Sequence, residues 1–164
     1  MPTFTVSEEE RRQARKPHDL FMISLGGQLL LGPAAIFLEI GRIALLLPLS
    51  FSLLFFLWSW RESKRCEQGK SWFVASHWRL ALSRYRLLYI GYAITTLFLL
   101  LGWLLSVTID PHSPQKFLAV ALTRIGVMPT IIMVLVTLVM ENMGLNMAQQ
   151  GELPQKMVDR YPPP

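Results

Sequence analysis

The chain has 164 residues, a net charge of +5, 52% hydrophobic and only 16% charged residues, against about 25% charged in ordinary soluble domains. That composition excludes a soluble globular fold, and the length supports one domain with no aqueous segment large enough for a core of its own. The excess of Lys and Arg would suit nucleic acid in a soluble protein. Here it gathers at the ends of apolar stretches, where it meets anionic lipid headgroups and sets orientation, so no nucleic-acid partner is expected.

Residues 1–19 read as a cytosolic N-terminal segment. Ser7 and Glu10 have capping-box spacing, Glu8 and Glu9 fall in the same first turn, and Arg11, Arg12, Arg15 and Lys16 follow. A short helix ending before Pro17 is expected, and the polar start followed by a very long apolar run does not match a secretory signal. Residues 20–60 carry charge only at Glu39 and Arg42. As one helix they would measure about 60 Å, twice the ~30 Å hydrocarbon core, so a transmembrane hairpin is predicted. Its spans are Leu20–Leu38 and Ile43–Trp60, kinked at Pro33 and Pro48, with Trp58 and Trp60 at an interface.

Residues 61–86 form a basic loop, with Arg61, Lys64, Arg65 and Lys70, leading into an amphipathic interfacial helix. Val74, Trp78, Ala81, Leu82 and Tyr85 recur on one side of it, and Ser76, Arg79, Ser83 and Arg86 on another. Residues 87–140 give a second transmembrane hairpin, with spans Leu87–Ile109 and Leu118–Met140 separated by Asp110, Pro111 and Pro114. Residues 141–164 read as an irregular cytosolic tail. The expected fold is thus all-α and polytopic, with four transmembrane helices and an amphipathic helix between spans two and three. Four Lys and Arg precede the first span, seven lie in the 61–86 segment and two in the tail, whereas the outer turns hold only Arg42 and Lys116. By the positive-inside rule both termini lie in the cytoplasm, in a bacterial inner membrane.

Few residues suggest chemistry. Arg124 stands within span four, where a cation costs several kcal/mol unless it snorkels or pairs, and Glu39 and Asp110 are its candidate partners; Glu39 and Arg42 also have the spacing to pair with each other. His18 and His77 fall on the cytoplasmic side and His112 outside, so no pair faces across a span, no haem or metal is expected, and His77 reads as interfacial beside Trp78 and Arg79. Cys66 reads as an incidental loop thiol, with S-acylation the weaker alternative. Gly91 with Thr95 and Gly126 with Thr130 have small-xxx-small spacing, and the methionines read as packing filler. HExxH, GxSxG, P-loop and GxGxxG motifs are absent, so neither an enzyme nor a cofactor is expected.

Trp60, the basic loop and the run Ser71, Trp72, Phe73, Val74, Ala75, Ser76, His77, Trp78 and Arg79, followed by Tyr85 and a glycine-containing span, carry one resemblance. With the tail residues Leu145, Asn146, Leu153 and Pro154, about half the chain resembles small bacterial membrane proteins distantly similar to chloroplast inner-envelope translocon components. That family has three spans where four are expected here. The resemblance implies a topology and no activity. The expected function is a non-enzymatic accessory or scaffold subunit of a larger inner-membrane complex. Trp72, His77, Trp78, Arg79, Arg84 and Arg86 are its candidate docking or interfacial residues, and other membrane-protein subunits and anionic headgroups its partners. The alternative is a small channel or carrier that self-associates into a homo-oligomer and uses Arg124.

Overall fold

In a computed structural model, residues 2–37, 46–67, 69, 71–108, 113 and 116–163 are described. Glu39, Arg42, Lys70, Asp110, Pro111, His112 and Pro114 lie outside them, and with them both the Glu39–Arg42 pair and the outer-loop break. Among the described residues the chain is helical: α1 (Glu8–Phe37), α2 (Leu46–Glu67), α3 (Trp72–Thr108), α4 (Lys116–Ile125), α5 (Met128–Gln150) and α6 (Gln155–Arg160). Among the described residues two stretches are long and apolar enough to cross a membrane, where four were expected: α3, and the α4–α5 stretch Phe117–Gln150.

The capping box forms as its spacing predicts. The Ser7 amide donates to Glu10 Oε2 at 2.8 Å and the Glu10 amide donates to Ser7 Oγ at 3.3 Å. The helix it starts does not end at Pro17, however, but runs on to Phe37 as one element. Pro17 is fully buried, and packing around it offsets the backbone bond it cannot donate. Pro48 lies in α2, two residues after its first described residue, Leu46. The amphipathic helix and the third span are one continuous α3.

The chain divides into two compact units. The first comprises Met1–Tyr85 and Leu138–Pro164 and holds α1, α2, the start of α3, the end of α5 and α6. Its tail is ordered, contrary to expectation. Helix α5 continues to Gln150 and stops at Gly151, whose φ of 73° suits glycine, while the Glu152 amide donates to the Met147 carbonyl at 2.8 Å in a Schellman-type close. Residues 2–4 then run antiparallel to residues 151–153. The Phe4 amide donates to the Gly151 carbonyl at 2.8 Å, and Thr3 pairs with Glu152. Phe4, Val6, Trp72 and Val158 cover a core of Ala14, Phe73, Ala148 and Leu153. Along α1 and α2 of this unit polarity is inverted: Ser24, Gln28, Ser52 and Ser59 are buried, while Ile23, Leu30, Leu54 and Trp58 are exposed. In water that arrangement would waste apolar burial, whereas in hydrocarbon it hides the polar groups.

The second unit, Arg86–Thr137, is built from the rest of α3, α4 and the start of α5. Its helices meet at small residues. A Cβ on Gly91 would come within 2.9 Å of Met133, one on Gly102 within 2.7 Å of Thr123, and one on Gly126 within 2.5 Å of Phe98. Thr130 Oγ1 donates to Thr95 Oγ1 at 2.8 Å. Both small-xxx-small pairs therefore sit at a close helix–helix contact held by van der Waals packing. Outward, Leu97, Trp103, Val107, Phe117 and Ile125 in α3 and α4 are more than half exposed.

Candidate functional site

Folding gathers four ionisable side chains inside the first unit. His18 comes from α1, His77 and Arg84 from α3, and Glu141 from α5; three of them are fully buried and Arg84 is 5% exposed. His18 Nδ1 lies 2.5 Å from Glu141 Oε2, His18 Nε2 lies 3.0 Å from His77 Nδ1, and His77 Nε2 reaches the Glu152 carbonyl at 3.2 Å. Arg84 Nη1 approaches the other Glu141 oxygen at 3.2 Å. Gly144, one turn beyond Glu141, leaves the room this requires, because a Cβ there would come within 2.6 Å of both the His18 ring and Arg84.

The partners assign the protons. A carbonyl only accepts, so His77 Nε2 carries the hydrogen that it donates to Glu152. His77 precedes the span that begins near Leu87, and burial, reinforced electrostatically by the neighbouring His18, pushes its pKa down to about 3, so its ring is neutral and Nδ1 accepts. His18 Nε2 must then donate to His77. One more proton has to lie between His18 Nδ1 and Glu141 Oε2, because two lone pairs cannot face each other at 2.5 Å. Whether that proton is drawn on the imidazole or on the carboxyl, the set with Arg84 bears a net charge of +1. A hydrogen-bonded line thus runs from the tail carbonyl through two imidazoles to a carboxyl held by an arginine. It ties α1, α3, α5 and the tail together. As chemistry, it holds one proton away from water; as architecture, it is a buried, charge-assisted lock.

The residues singled out in the sequence are distributed unevenly around this set. His77 and Arg84 belong to it and are buried rather than interfacial. Trp78 is also buried, packed with Val74, Leu20 and Cys66. Cys66 lies in α2 with a fully buried thiol, not in a loop, which removes the exposure that S-acylation needs. Trp72 and Arg79 hold the tail: Trp72 Nε1 donates to the Tyr161 carbonyl at 3.0 Å, and the Arg79 guanidinium lies 4.3 Å over the Tyr161 ring. Arg86 is exposed. Arg124 is exposed in the last turn of α4, where a cation suits the helix dipole, and its two proposed partners fall outside the described residues. His18 and Glu141 were not singled out as a pair by the sequence. Their only signal was a lone histidine and a lone acid bordering long apolar runs.

Among the described residues no group of three or more His, Cys, Asp and Glu side chains is arranged to hold a metal ion. Among the described residues, the class this geometry defines is an all-helical protein with two helices long and apolar enough to cross a membrane and, in its first unit, a buried ionic cluster. Compared with known proteins, the chain matches no family model, no curated protein and no solved structure.

Proposed function

We propose that this protein is a non-enzymatic accessory or scaffold subunit of a larger assembly in a bacterial inner membrane, with four spans and both termini in the cytoplasm. The observation that carries this reading is the burial of the His18–His77–Glu141–Arg84 set. Its charged groups face one another inside one unit, with Arg84 Nη1 and Glu141 Oε1 at ion-pair distance without a hydrogen bond, so they hold four chain segments together and contact with other molecules falls to the outer faces. Those faces are apolar along the helices, as expected for lipid and for other membrane subunits.

The topology has its own support. Two segments that hydrogen-bond each other share a compartment, and the pairing of residues 2–4 with residues 151–153 supports a topology with an even number of crossings. The third span is assigned to α3 from Leu87 onward and the fourth to the α4–α5 stretch. The first two are assigned to α1, uncharged from Leu20 to Phe37, and to α2, uncharged from Leu46 to Trp60, whose buried serines and exposed leucines suit hydrocarbon. Purification from native membranes in mild detergent is expected to recover stoichiometric membrane partners. A single monodisperse species with no partner in repeated preparations would overturn the subunit reading.

A further inference from the structure

The tail of the first unit closes over the buried set, and one of its fastenings is made by an ionisable ring. Residues 151–153 pair with residues 2–4, the Phe4 amide donating to the Gly151 carbonyl at 2.8 Å and the Leu153 amide to the Pro2 carbonyl at 3.4 Å. At the far end Trp72 Nε1 and the Arg79 guanidinium hold Tyr161. Between them His77 Nε2 donates to the Glu152 carbonyl at 3.2 Å. Leu153 is fully buried against Ala14, Phe73 and Ala148, so the tail cannot lift without uncovering that apolar core.

His77 has room for one proton only. Its Nδ1 accepts from His18 Nε2 at 3.0 Å, and a second proton placed there would set two N–H groups against each other. No counter-charge stands ready for the resulting imidazolium. From α1 the ring meets His18, and Arg84 lies about two turns further along α3. Glu141 from α5 is engaged by His18 and faces Arg84, while the tail offers His77 a carbonyl rather than a carboxylate. The Phe73 ring, 4.7 Å away, closes another side. Of these neighbours Glu152 alone is partly open to water, so the way out for a charged ring lies past the tail.

We infer that residues 151–161 are an acid-released strap: a second proton on His77 breaks its bond to His18 and frees the tail while the helices remain folded. In the closed state burial, then His18 and Arg84, hold the His77 pKa at about 3, against an ordinary value of 6.5 once the ring reaches water. The closed strap is therefore fully favoured above about pH 6.5, and each pH unit from there toward 3 favours release by about tenfold. The inference rests on the proton assignment of the buried set and on neither the number of spans nor the existence of partner subunits.

Hydrogen–deuterium exchange of the full chain in detergent, corrected for intrinsic exchange rates, reads the tail and the helices separately between about pH 7 and about pH 4.5. Amides of residues 151–161 are expected to lose protection by about tenfold per pH unit below about pH 6, and at every pH to exchange at least about tenfold faster than those of α3 and α5. Tyr161→Ala, which removes the ring under Arg79, is expected to speed exchange in the tail alone and to leave its pH slope unchanged. His77→Gln keeps an amide that can donate to Glu152 but does not titrate, and its tail protection is expected to stay level within about twofold over the same range. A slope that survives in His77→Gln would assign the acid response to the tail carboxylates Glu152 and Asp159 and overturn the inference. Tail protection independent of pH in the wild type would do the same, as would tail and helices exchanging with equal protection throughout. If His77→Gln does not fold, the wild-type and Tyr161→Ala profiles still decide, because they separate opening of the tail from unfolding of the helices.

Discussion

The first unit holds its helices with ions and the second holds its helices with small residues, and the two solutions differ in what they can tolerate. In the first, His18, His77, Arg84 and Glu141 are sealed inside and depend on one another, so removing one partner leaves a charge or a lone pair buried without compensation. In the second, Gly91, Gly102 and Gly126 allow close backbone approach, and one Thr95–Thr130 hydrogen bond adds to packing spread over many contacts. The lesson is that a chain rich in apolar helices can still concentrate its specificity in a few polar atoms, whose loss is felt more than that of any one apolar contact.

That comparison can be broken or sharpened by substitution. The largest effect is expected for Glu141→Leu, which strands Arg84 and His18: a loss of about 3–5 kcal/mol in denaturant unfolding of the detergent-solubilised protein. A change under about 1 kcal/mol would mean that the charges are not locked. Next, Gly144→Ala drives a methyl into His18 and Arg84 and is expected to cost about 1–3 kcal/mol in the same assay.

Acid should act on the first unit through His77. Because burial depresses the His77 pKa to about 3 from an ordinary value of 6.5, the native state stays neutral at this ring while the unfolded chain takes up a proton. Stability from this group is therefore complete above about pH 6.5 and is lost as pH falls toward 3. His77→Gln is expected to flatten that part of the pH profile, and an unchanged profile would contradict the assignment of a neutral, accepting His77. In the second unit Thr130→Val removes one interhelical bond and is expected to cost only about 0.6 kcal/mol. The smallest effect concerns Cys66, whose buried thiol should react with maleimide only after unfolding; rapid labelling of the folded protein would place it outside the core.

Local features were legible in the sequence and distant ones were not. The Ser7–Glu10 cap and the two small-xxx-small pairs are encoded within four residues, and each occurs where its spacing indicated. Pro17 misled, because a proline rule is local while the packing that offsets it is not. The prolines at 162–164 made the whole tail look irregular, although the signal that ends α5 is Gly151, seven residues after Gly144. The lock was the least legible feature: His18 and Glu141 are 123 positions apart and His18 and His77 are 59 apart, and nothing in one strip of sequence says that they share a cavity. Its trace was Ser76-His77-Trp78-Arg79, read as an interfacial segment, in which three side chains turn out to be buried and the fourth clasps the tail.

The central claim is that His18 and Glu141 act as one unit around a shared proton, and a double-mutant cycle tests it most directly. His18→Leu and Glu141→Leu are each expected to destabilise the protein strongly, and the double variant to be less destabilised than the two losses added together by at least about 1.5 kcal/mol. Additive losses, or single variants as stable as the wild type, would contradict the account.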